Sequence, residues 1–97
     1  MKKILLPILL FFSLTVSAQK ITFTPQWLPQ SQFAGYYVAQ ELGFYEEAGL
    51  EVEIEHNSAS DNTTNRLKKG TCNAVTMNLF DAIVNINNGM EIVNVLQ

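Results

Sequence analysis

The chain is short of cysteine, of histidine and of basic residues, and each shortage closes off a class of function. One cysteine, Cys72, cannot build an internal disulfide framework or a cysteine-based zinc site. Six basic residues against nine acidic ones give a net charge of −3. That balance excludes nucleic acid as a partner, because phosphate binding needs clustered Lys and Arg. The single histidine, His56, has no evident partner in the sequence, and a lone His after a strand is more often a surface or core residue than a ligand or catalyst. Long hydrophobic runs are also missing. Ile4 to Phe12 is interrupted by Pro7 and falls well short of the ~20 residues that cross a bilayer. With 97 residues there is room for one domain at most, not for a complete two-lobed protein.

The apolar run has a different meaning. It follows the positive head Met1-Lys2-Lys3 and precedes Val16-Ser17-Ala18, which places small residues where a signal peptidase reads. This is the order of a secretory signal peptide, residues 1–18, with the cut after Ala18. Residues 19–97 then form an exported, acidic chain of net charge −5, since Lys2 and Lys3 leave with the leader. One unpaired cysteine is compatible with an oxidising compartment.

Beyond Ala18, strands and helices alternate. Ile21 to Thr24 has the two-residue strand period. Pro25 and Pro29 bracket Trp27 in a segment that cannot be regular helix. Phe33, Ala34, Tyr37, Val38 and Leu42 recur at helical spacing behind Ser31 as cap, and Gly43 ends that helix. Phe44 to Ala48 reads as one more turn, closed at Gly49. Leu50 to Glu55 alternates apolar residues with glutamates. A central parallel strand is apolar on both faces, so this one belongs at a sheet edge. Asp61 is expected to cap a helix ending at Lys69 and Gly70, and Ala74 to Met77 reads as a buried strand. Asn78 is expected to cap a helix from Leu79 to Asn87 with Leu79, Ala82, Ile83 and Ile86 on its core face, and Ile92 to Leu96 is expected to form a last strand. The order β-α-β-α-β-α-β predicts an α/β fold with a doubly wound, mostly parallel sheet. Burying both faces of such a sheet usually takes more chain than this, so residues 19–97 are expected to be the first part of a longer protein.

Within this pattern, Trp27-Leu28-Pro29, Gln32 to Ala39 and Leu42 to Ile54 resemble the periplasmic substrate-binding family that includes nitrate, sulfonate and taurine binders and thiamine-pyrimidine-precursor binders. Gly70 to Ala74 and Asn88 to Gln97 are similar to the family's later steps into strands. The resemblance implies a type II periplasmic binding protein. Two α/β lobes close on a ligand and present it to an ABC transporter permease, with strand order 2-1-3 in the first lobe. It implies no enzyme activity and no cofactor. The stretch Phe33-Ala34-Gly35-Tyr36-Tyr37 also resembles sequences fused to membrane histidine kinases, where the same domain would sense a ligand for its own kinase module. In the thiamine-precursor branch a histidine commonly stands where this chain has Phe33. That departure speaks against pyrimidine-precursor specificity and against the branch that makes the precursor.

Ligands of open α/β sheets bind beyond the carboxyl ends of the strands. Here those ends are Pro25 to Gln32, His56 to Asp61 and Met77 to Leu79, each ahead of a helix whose first N–H groups would favour an anionic or carbonyl-bearing ligand. The side chains there offer an aromatic face and neutral hydrogen-bonding groups, which suits a small planar or polar metabolite better than a highly charged one. The candidate ligand-contacting residues are Trp27, Gln32, Phe33, Tyr36, Asn57, Ser58, Met77 and Asn78, with Trp27 foremost. Phe33, Tyr36 and Tyr37 cannot all face one way on a helix, and Tyr37 fits the apolar stripe best. Asn78 doubles as a cap. The glutamates and the Arg66, Lys68, Lys69 cluster read as solvated faces, and Cys72 as a small buried filler.

Overall fold

A computed structural model describes residues 17–96. The signal-peptide assignment falls almost entirely outside these described residues.

Three parallel strands form one sheet in the order β2-β1-β3: β1 is Gln19–Thr24, β2 is Leu50–Ile54 and β3 is Ala74–Val75. Parallel neighbours cannot be joined by hairpins, so helices make both crossings. From β1 the chain passes through a 3-10 turn at Ser31–Phe33, then α1 (Ala34–Glu41) and α2 (Phe44–Glu47), to reach β2. From β2 it passes through α3 (Thr63–Lys69) to β3, and α4 (Leu79–Asn87) follows. The fold is therefore α/β, with a parallel sheet flanked by helices, consistent with part of a type II periplasmic binding protein lobe.

β2 lies at the sheet edge, as its glutamates require. Glu51 and Glu53 are exposed, and Val52 and Ile54 turn inward opposite Ile21 and Phe23. Glu53 pairs loosely with Lys20 at 3.5 Å on the open surface, where such a pair adds little. Gly43 takes φ 73° between α1 and α2, and Gly49 takes φ 76° before β2. A side chain at either position would meet the left-handed penalty, so the two reversals depend on glycine.

Several expectations are corrected. Ser31 caps nothing with its side chain. The chain enters α1 through the 3-10 turn instead, with the Phe33 N–H donating to the Gln30 carbonyl at 3.1 Å. Val38 and Leu42, placed on the core stripe, are exposed. The cap of α3 is Asn62 rather than Asp61: its Oδ1 accepts from the Asn65 N–H at 2.9 Å. Ile92 to Leu96 forms no ladder. A strand needs a partner's edge as well as an apolar sequence, β3 has only two residues, and Val93, Val95 and Leu96 face solvent. On α4 the expected core residues Leu79, Ile83 and Ile86 are exposed, and the buried residue is Asn85. The Asn85 amide donates to the Asp81 carbonyl at 2.8 Å and reaches Thr64 Oγ1 at 3.4 Å, so the polar side of α4 turns toward α3.

The arginine in the basic cluster is not solvated. The Arg66 side chain is 14% exposed and is ion-paired with Glu55, the last of the alternating glutamates. Beside it lies Cys72, 3% exposed. Burial pushes the Cys72 thiol above its ordinary range, partly offset by the nearby Thr24 hydroxyl and Arg66 guanidinium.

Candidate functional site

The ends of the three strands meet above the carboxyl edge of the sheet and enclose an open cleft of about 650 Å³. Its walls come from Gln26 to Leu28 after β1, from Asn57 to Asn65 after β2 and into α3, and from Met77, Asn78 and Asp81 after β3 and into α4. Five of the predicted side chains are brought together here: Trp27, Asn57, Ser58, Met77 and Asn78.

Trp27 is held in an uncommon way. Its φ is +61°, left-handed backbone that costs a non-glycine residue about 1–2 kcal/mol. Two ties fix the loop around it. The Gln26 N–H donates to Thr76 Oγ1 at 2.7 Å, joining the loop to the end of β3. The buried Asn57 amide donates from Nδ2 to the carbonyls of Pro25 and Trp27, each at 3.2 Å. Pro25 itself is fully buried. The indole, 57% exposed, stands free at the cleft wall on a backbone that cannot easily turn. Asn57 is therefore first a clamp on the Trp27 loop. Its Oδ1, also buried, has no partner among the described residues.

Both helices that start at the cleft carry their own caps. Asn78 Oδ1 accepts from the Asp81 N–H at 2.8 Å, while Asn78 Nδ2 donates to the Asp81 carboxylate. Asn62 closes α3 in the same way, and Asp61 Oδ1 accepts the Asn62 N–H at 2.9 Å. Each cap takes up one N–H of its helix, Asn65 in α3 and Asp81 in α4, and a carboxylate stands in the first turn of α4, which weighs against the expectation that free helix N–H groups favour an anion here.

Three predicted residues lie elsewhere. Phe33 is buried at 6% exposure, because the 3-10 turn rotates it inward rather than along the helix face. It stacks at 6.4 Å on Tyr36, which in turn packs at 4.7 Å on Phe23 of β1. Buried Phe33 and half-buried Tyr36 thus pack against the central strand, and neither lines the cleft. Gln32 is exposed and its amide donates to the Gln30 side chain at 2.7 Å. Tyr45 closes the cluster by donating to the Tyr36 carbonyl at 3.3 Å, and burial pushes its phenol upward.

Sequence reasoning missed Thr63 and Asp81 as wall residues, although each stands within four positions of a predicted cap, and it placed Asp61 at a cleft-facing strand end without giving it a ligand role. It also missed the partner of His56: Tyr37 Oη and His56 Nε2 share a hydrogen bond at 3.1 Å, a contact across 19 residues that no local spacing announces. Among the described residues no group of three His, Cys, Asp or Glu side chains gathers to hold a metal.

A family model described as NMT1/THI5 like matches residues 30–97, more than half of the chain. The chain belongs to the NMT1/THI5-like family. This agrees with the resemblance carried by Trp27 to Ile54, and the parallel 2-1-3 sheet is the one that resemblance implies. Over 43 residues, or 44% of the chain, the sequence is 40% identical to the riboflavin-binding protein RibY of Chloroflexus aurantiacus. That stretch spans only 12% of the relative's length. No solved structure matches the chain significantly.

Proposed function

We propose that this family member is the N-terminal, ligand-capturing part of an exported solute-binding protein. In this reading residues 1–18 are a signal peptide, residues 19–97 are the N-terminal part of lobe one, and the protein works in the periplasm. It captures a small nitrogen- or sulfur-containing metabolite and hands it to an ABC importer without altering it. Trp27 stacks on the ligand's ring, Met77 supplies a soft apolar contact, and Ser58 and the exposed side of Asn78 hydrogen-bond the ligand's edge. Closure of a second lobe over this cleft completes the capture.

The observation that carries the reading is the cleft itself. It lies beyond the carboxyl ends of parallel strands, where open α/β sheets bind ligands, and its aromatic wall is presented on a fixed backbone. The family match supports a binding protein over an enzyme, and a riboflavin-binding relative supports a planar, nitrogen-bearing ligand.

The test is a thermal-shift screen of the full-length gene product against nitrogen, sulfur, pyrimidine and flavin compounds, repeated with Trp27→Ala. A ligand-dependent rise in Tm that shrinks in the variant is the expected outcome. A ligand bound equally well without the indole overturns the role given to Trp27, and no shift from any compound counts against capture altogether.

A further inference from the structure

The cleft wall is lopsided in its hydrogen-bonding chemistry. Its charged side chains, among the described residues, are Asp61 and Asp81, and no Lys, Arg or His joins them. The nearest basic residue on α3, Arg66, does not reach the wall and is engaged by Glu55. Each aspartate has one carboxylate oxygen committed to its neighbour, Asp61 to the Asn62 N–H and Asp81 to the Asn78 amide. Each keeps a second oxygen that can accept.

A third acceptor comes from Asn57, 8% exposed, whose Nδ2 is spent on the Pro25 and Trp27 carbonyls. Its buried Oδ1 has no hydrogen-bond partner among the described residues, a state that is costly unless a ligand or ordered water supplies a donor. The Asn62 and Asn78 caps take up the Asn65 and Asp81 N–H groups, two of the donors that would have balanced these acceptors.

We infer that this wall selects a neutral or positively charged ring that presents hydrogen-bond donors, and rejects oxyanions such as nitrate or a sulfonate. The inference deepens the proposed function and rests on it. Stacking on the indole fixes the plane of the ring, and an electron-rich indole face adds attraction for a cation. An anion placed there would face two carboxylates and an unpaired carbonyl oxygen, with only neutral donors such as the Ser58 and Thr63 hydroxyls and, among the described residues, no basic side chain to offset them. Rejection by like charge and by unpaired groups is the usual route to selectivity between ligands of similar shape.

The experiment uses the full-length gene product and four probes of one shape: benzamidine (cation, donors), benzamide (neutral, donors), benzoate and benzenesulfonate (anions). Binding is read by calorimetry, beside the metabolite screen described above. Benzamidine is expected to bind best, benzamide next, and the two anions at least about tenfold more weakly than benzamidine, with benzamidine binding weakening as salt is raised. In Asp61→Asn/Asp81→Asn, whose fold is checked by circular dichroism, benzamidine should fall to the level of benzamide and lose its salt dependence. Anions that bind as well as benzamidine, or a double variant with unchanged preference, overturn the selectivity while leaving capture intact. If none of the four probes binds, the charge of whatever compound the screen finds decides: an anion overturns the inference, and a neutral or cationic donor upholds it. A screen with no hit removes the capture reading, and this inference goes with it.

Discussion

Replacing Asn57 by alanine removes both amide bonds that hold the Trp27 loop. A neutral hydrogen bond contributes about 0.5–1.5 kcal/mol net, so the pair accounts for about 1–3 kcal/mol. The Pro25 carbonyl bond is buried and the Trp27 one half-buried, which places the loss toward the upper half of that range. Relaxation of Trp27 out of its left-handed backbone returns up to about 1–2 kcal/mol. The net stability change is then about 1 kcal/mol, while the structural change at the indole is large. A double-mutant cycle separates the two effects. Glycine is at ease at φ +61°, so Trp27→Gly removes the strain that the clamp resists. Urea unfolding of the full-length gene product, with Asn57→Ala made in the native and the Trp27→Gly backgrounds, should give a coupling energy of at least about 0.5 kcal/mol, the scale found for directly interacting residues. Trp27 emission should also shift to the red in Asn57→Ala as the ring leaves the wall. Additive losses together with unchanged emission would refute the clamp.

Arg66→Ala should lower stability by about 1–3 kcal/mol, because it strands the Glu55 carboxylate beside a largely buried site; a change in the urea midpoint with m unaltered checks it, and a shift under about 0.5 kcal/mol rejects the pair as a stabilising contact. Burial raises the Cys72 thiol in the folded state, so folding should be progressively less stable as pH rises past the ordinary thiol range, and Cys72→Ala should flatten that decline. In the same state Cys72 should react with a thiol reagent far more slowly than in urea, and equal rates would show that it is not enclosed. Asn78→Ala removes the cap of α4 at a cost of about 1 kcal/mol, and Asn78→Asp should recover most of it, as seen in thermal unfolding; a variant as unstable as alanine would mean that the amide's bond to Asp81 matters more than the cap.

What could be read from the sequence divides by range. The edge strand was legible because Leu50 to Ile54 carries its environment in its own alternation, and Asn78 was legible as a cap because a cap is decided within four residues. The approach of Trp27, Asn57 and Met77 followed from strand order alone, since residues after parallel strands converge whatever their side chains. The misses lie where a distant partner decides. Phe33 has the spacing of a helix-face residue, but a 3-10 turn of three residues, invisible to periodicity, swings it onto Tyr36 and away from the cleft. Ile92 to Leu96 has a strand's composition without a strand's partner. Arg66 and Glu55 sit on segments that each look solvated until α3 folds over the end of β2.

Asn85 makes the same point from the other side. Reading α4 by its apolar residues put Leu79, Ile83 and Ile86 inward, yet the buried position is the one polar side chain that can bond back to its own helix and across to Thr64. A buried amide with partners for its donors is tolerable, whereas an apolar stripe carries no instruction about which neighbour should cover it. α4 is thus anchored to α3 by a polar contact, and those two helices with the residues that lead into them carry the aspartates and caps that give the cleft its acceptor-rich wall. The chemistry of the site and the orientation of its helices are consequently set by the same short polar segments, Asp61 to Asn65 and Asn78 to Asn85, which a reading by hydrophobic periodicity passes over.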